Sequence, residues 1–187
     1  GTTVIPIELV AKQPARAPLD PRFAARVGAA IRIGLRMLRA TRIAALYIED
    51  PDKKLYVQDS DVDAMARRHD RFFNALRAIE ARGVGFARLK RLAVEFAKRA
   101  GTVEPWYLSL GLTNDIHEER SVERAFAEWS DADSIAAHIG YGIDVFCTED
   151  KGNTGSDPSV FDTVNRGWLE QTYGVKFATL SELAAML

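Results

Sequence analysis

Trp129-Ser-Asp131-Ala-Asp133-Ser-Ile-Ala-Ala-His138-Ile-Gly-Tyr-Gly142-Ile-Asp-Val-Phe-Cys-Thr148-Glu149-Asp150 is the stretch whose reading decides the fold of this chain. Ser130 or Asp131 has the chemistry of a helix N-cap, and small apolar residues carry a helix to Ile139. Gly140 and Gly142 break it, and Ile143–Thr148 is an apolar run of strand type. A helix of about nine residues rises ~13 Å. A strand of about six residues returns ~20 Å in the opposite direction. Asp131 and Asp133 thereby reach the same sheet edge as Glu149 and Asp150, the edge where open α/β sheets bind ligands. Carboxylates crowded there repel and raise one another's pKa, and a hard divalent cation relieves the conflict. The plainer account makes Asp131 and Asp133 dipole-favouring helix acids and the other two loop-opening acids. Each pair alone favours that account, and both pairs at one edge leave the two accounts balanced.

Outward from this stretch, short strands and helices alternate. A polar Gly-rich loop, Lys151–Ser159, leads to a helix containing Trp168 and Leu169, then a strand at Val175–Ala178 and a last helix from Ser181. Upstream, Trp106–Leu110 reads as a short strand and Asn114–Glu128 as a helix. Asp59-Ser60-Asp61 caps a helix to about Ala81, closed by Gly83, and Phe86–Arg99 forms another that ends at Gly101. Thr2–Val10 is a strand or edge segment, and residues 11–21 are a proline-containing loop. Asp20 caps a helix running to about Thr41, and Ile43–Ile48 is a strand with which Lys54–Val57 pairs as a hairpin. The pattern is α/β with a largely parallel sheet, in a single domain over residues 1–187.

Net charge is −1, but it is divided. Residues 1–100 hold 20 Lys and Arg against 11 Asp and Glu, and residues 101–187 hold 5 against 15. Residues 21–43 contain six Arg and no acid, and the helix at 86–99 presents Arg88, Lys90 and Arg91. A single-sign helix face supplies sequence-independent contact with phosphate, so RNA is an expected partner; the alternative is that the basic half packs on the acidic one. One cysteine, Cys147, excludes a disulfide framework and fits a reducing, cytoplasmic setting; mid-strand, it is expected to be buried. No apolar run approaches the ~18 residues of a membrane span, and no secretory signal pattern opens the chain. His69, His117 and His138 are too scattered for a ligand set, and Trp106, Trp129 and Trp168 are core candidates.

Asp133-Ser-Ile-Ala-Ala, followed by Ile143-Asp-Val-Phe-Cys-Thr148-Glu-Asp150, resembles the second half of a PIN domain. The tail Tyr173-Gly-Val-Lys-Phe-Ala-Thr-Leu-Ser181-Glu-Leu is similar to that family's closing strand and helix, so the likeness covers about residues 129–187. The resemblance implies a three-layer α/β/α fold with a short, largely parallel central sheet and a Mg2+- or Mn2+-dependent ribonuclease activity. Asp133 matches the helix-start acid and Asp150 the acid after Thr-x, with Asp131 beside them as a further catalytic and metal-ligating acid. Thr148 matches the hydroxyl that orients the acids, and Glu149 is an assisting neighbour. Family analogy adds a homodimer and an antitoxin-like partner. The family's first strand-ending Asp and its helical Glu have no clear match in Glu8, Asp50, Glu80 or Glu95. With the chain beginning at Gly1, that pair is expected upstream or lost, and loss implies a non-catalytic RNA-binding or scaffold module.

Overall fold

Asp61 opens the first long helix by accepting the Ala64 N–H at 2.7 Å, the role its sequence position implies. In the computed structural model, which describes residues 25, 28, 29, 31–38, 52, 53, 56–101, 105–152 and 157–186, this helix is α1, Val62–Ala81. Phe72, Ala75, Leu76 and Ile79 recur every three or four residues and form its buried face. Gly83 and Gly85, both at positive φ, turn the chain into α2, Phe86–Ala100, which buries Phe86, Leu89, Ala93 and Phe96 and ends on left-handed Gly101. Trp106–Ser109 is a single helical turn, α3, where a strand was expected; Pro105 stands at its cap and the Leu108 N–H closes on the Pro105 carbonyl.

The largest departure from the sequence reading is α4, Ile116–Tyr141. Its 26 residues are one uninterrupted helix, not two joined near Ser130. Asp115 caps it by accepting the His117 and Glu118 N–H groups, and Gly142 ends it in the left-handed conformation. Nothing between these caps is a Gly or Pro until Gly140, and Ser134 donates to the Ser130 carbonyl instead of breaking the turn. The side of α4 bearing Ala125, Trp129, Ala132, Ile135 and Ala136 is buried, so tertiary packing overrides the mid-helix capping signal.

α1 and α2 both pack against α4. Close approach is built in by glycine: a Cβ on Gly85 would lie 2.6 Å from the Ala132 Cβ, and one on Gly140 would lie 3.1 Å from the Phe72 Cβ. After α4 come β1, Val145–Cys147, α5, Thr163–Tyr173, β2, Lys176–Ala178, and α6, Leu180–Met186. β1 and β2 are parallel, in register Val145 to Lys176 and Cys147 to Ala178, with α5 as the crossover that parallel pairing requires. Val160, Phe161, Leu169 and Val175 join the helical core. The fold among the described residues is mixed and helix-rich, with a short two-stranded parallel sheet.

The chain divides into two compact units, Gly1–Met37 with Asp50–Val57, and Leu38–Glu49 with Gln58–Leu187. In the first, helical backbone at Ala25, Gly28, Ala29, Ile31 and Arg32 gives way to a turn at Gly34, short of the expected end at Thr41. Met37 bridges Tyr56 in parallel. The expected strands at Thr2–Val10 and Ile43–Ile48 lie outside the described residues.

Candidate functional site

Asp131 and Asp133 stand in the middle of α4 rather than in a first turn, so no helix dipole end accounts for them. Two residues turn a helix by about 200°, which sends the two side chains to opposite sides. Asp133 is buried at 2% exposure, and Asp131 is half-buried. The structure therefore separates this pair. The Asp131 carboxyl is pushed up from 3.8 to about 6, first by burial, then by the charges of Glu128 and Asp150.

Glu128, absent from the sequence-derived set, is buried one turn before Asp131. Its Oε1 accepts the Gly85 N–H at 3.2 Å and the Val160 N–H at 2.7 Å, joining the start of α2 to the segment that precedes α5. The only sequence signal for it was an acid on the apolar face of a helix.

Asp150 sits just past β1, where the sequence places it. Thr148 continues the ladder by donating its N–H to the Ala178 carbonyl at 2.9 Å, and its Oγ1 accepts the Asp150 N–H at 3.1 Å. The Asp150 Oδ1 accepts the Gly152 N–H at 2.7 Å, an Asx turn. Glu149 Oε1 accepts the Leu180 N–H at 2.8 Å, which ties the loop to the start of α6. Arg166 on α5 was also missed: its Nη2 donates to the Asp150 carbonyl and its Nε to the Phe161 carbonyl at 2.9 Å.

Of the expected RNA contacts, Arg88 is half-buried and pairs with Asp157 at 2.6 Å. Lys90 lies 3.8 Å from Glu80 and 4.5 Å above the Phe86 ring centre. Arg91 is exposed and donates to the Gly83 carbonyl at 2.6 Å, a contact that leaves its charge unneutralised. His138 is packed: its buried ring meets Phe146 edge-on, and burial lowers its pKa. Cys147, expected to be buried, is exposed, because the three-residue β1 ends there and turns that side chain outward.

Among the described residues, no three His, Cys, Asp or Glu side chains converge as a metal-holding group. The carboxylates of Asp131 and Asp150 are hard oxygen donors, the kind Mg2+ uses while keeping several waters. No helix among the described residues is long and apolar enough to cross a membrane. No protein-family model, curated protein or solved structure matches this chain.

Proposed function

We propose that this protein is a Mg2+- or Mn2+-dependent ribonuclease with a PIN-like three-layer α/β/α arrangement, acting at Asp131 and Asp150. The observation that carries the reading is the half-buried Asp131 carboxyl, raised to about 6 beside Asp150 and Glu128. A carboxyl so placed costs stability and is favoured only where a cation or proton joins it. A bound divalent ion supplies an acidified water and charge for the phosphoryl oxygens. Asp131 and Asp150 hold that ion, Thr148 fixes the backbone beneath Asp150, and Glu149 anchors the loop on α6. Asp133, on the other side of α4 and buried, stands behind the site and not in it. Arg91, with Arg88 and Lys90 beside it on α2, contacts the RNA backbone.

The full chain is expected to cut single-stranded RNA in Mn2+, with Asp150→Asn lowering the rate at least 100-fold. Cleavage that persists in that variant, or in excess chelator, sinks the assignment. The two-carboxylate site also favours a second reading, a non-catalytic RNA-binding or scaffold module of the same fold. That reading expects salt-dependent RNA binding with no Mn2+-dependent cleavage.

A further inference from the structure

We propose that Arg166 is a positioning residue, whose guanidinium holds the Asp150 loop so that the Asp150 carboxylate keeps one orientation. This rests on the metal reading above and names the element that sets the site's geometry.

Arg166 spans two carbonyls with one rigid fork, Nε to Phe161 and Nη2 to Asp150. Its guanidinium also lies 4.7 Å from the Phe177 ring centre on β2, so its plane is held by stacking as well as by hydrogen bonds. The loop is also held close at Gly152, against the same segment whose Phe161 carbonyl Arg166 binds. There φ is +65, and a Cβ would strike the backbone of Phe161 and Asp162. Between these two points the Asp150 side chain has one oxygen committed to the Gly152 N–H, which leaves the second oxygen to face a ligand. A loop acid needed only for solubility requires no such clamp. A ligand carboxylate does, since fixing the orientation of an oxygen donor through its surroundings typically changes metal affinity 10- to 100-fold.

Lysine has no fork, so Arg166→Lys is expected to keep the charge and lose one of the two carbonyls. Arg82 supplies the control: its Nε donates to Asn165 at 2.6 Å and its guanidinium stacks on Trp168, so Arg82→Gln perturbs α5 without touching the Asp150 loop.

The test measures Mn2+ binding by electron paramagnetic resonance, together with hydrogen exchange at the Gly152 amide and a melting curve. It compares the full-length wild type with Arg166→Gln, Arg166→Lys, Gly152→Ala and Arg82→Gln. The expected result is Mn2+ affinity weakened about 10- to 100-fold in Arg166→Gln and Gly152→Ala, and less in Arg166→Lys. Gly152 exchange should quicken in the Arg166 variants, while Arg82→Gln loses melting temperature with Mn2+ affinity kept. Should Arg166→Gln fail to fold, Arg166→Lys and Gly152→Ala carry the comparison. Mn2+ affinities in the Arg166 and Gly152 variants that match Arg82→Gln overturn the positioning role and leave the metal reading standing. A wild type that binds no Mn2+ overturns both.

Discussion

The three packed helices α1, α2 and α4 and the loop after β1 are held by opposite means. The helices meet through apolar faces, with Phe72, Leu76, Ile79, Leu89 and Ile135 almost wholly buried and backbones brought close at Gly85 and Gly140. The loop at Thr148–Gly152 buries no large side chain. It hangs on directed polar contacts to β2, α5 and α6, made through Thr148, Asp150 and Glu149. Apolar burial is non-directional and gives stability, whereas a few oriented hydrogen bonds give position. Two three-residue parallel strands would be marginal alone, so the sheet depends on the helical side for its existence. The lesson is a division of labour: one region supplies the free energy with which the other holds the Asp150 loop in place.

The helical side should break hardest at Gly85. Its φ is +63 and an added Cβ meets Ala132 at 2.6 Å, so Gly85→Ala combines backbone strain with overpacking. It also disturbs the N–H that serves Glu128. The expected loss is about 3 kcal/mol by urea unfolding. Gly101, at φ +64 and ψ +27 with open space around it, carries only mild left-handed strain, whereas Gly85 at ψ −134 lies where L residues are scarcely allowed, so Gly101→Ala should lose only about 1 kcal/mol. Equal losses at the two sites would mean that neither the harsher backbone of Gly85 nor its close approach to Ala132 contributes.

The acid side should respond in the opposite sense. Asp131 titrates near 6 in the folded protein and at 3.8 when unfolded. Between those values the folded state binds more protons, so stability falls as pH rises from about 4 to about 6 and stays lowered above. At full strength the shift would cost roughly 3 kcal/mol; with solvent screening at this half-exposed carboxyl, about 1–2 kcal/mol is expected. Asp131→Asn should therefore raise the melting temperature at pH 7 and flatten that part of the pH profile. Mn2+ should stabilise the wild type and leave the variant unmoved. A variant less stable than wild type at pH 7 would show that the charge is already compensated in the folded protein.

The same contrast explains what could be read from the chain alone. α1, α2, α5 and the β1–α5–β2 unit were legible because caps, glycines and apolar spacing agree with one another. The division of α4 at Ser130 was a misreading, since Ser and Asp carry the same capping chemistry in mid-helix and only burial of the Trp129–Ala136 face decides against a break. Trp106–Ser109 failed because four residues carry too little periodicity to separate strand from helical turn. The position of Thr148 and Asp150 just past β1 was legible from the residues that end a strand. Glu128 and Arg166 were not, because their partners lie 32 and 16 residues away and no local pattern records a long-range hydrogen bond.

The smallest effect expected on stability is the one that tests the basic helix. If α2 meets RNA, removing charge at Arg88, Lys90 and Arg91 should flatten the salt dependence of binding by about one unit of slope per lost phosphate contact. If α2 instead serves the fold, the slope should stay and the melting temperature should fall. The geometry separates the three. Arg88 and Lys90 face Asp157 and Glu80, so part of their charge is spent inside the protein, and losing such surface pairs costs less than about 1 kcal/mol each. Arg91 faces a carbonyl, which orients its guanidinium without neutralising it, and its side chain is exposed. Arg91→Gln alone should therefore account for the largest single change in slope, with almost no change in stability. Arg88→Gln should show the reverse weighting, a smaller slope change and a larger drop in melting temperature. Binding measured at two salt concentrations beside a melting curve reads both quantities. If Arg88→Gln moves the slope more than Arg91→Gln, then paired charge, not free charge, meets the phosphate, and the assignment of Arg91 as the leading contact is overturned.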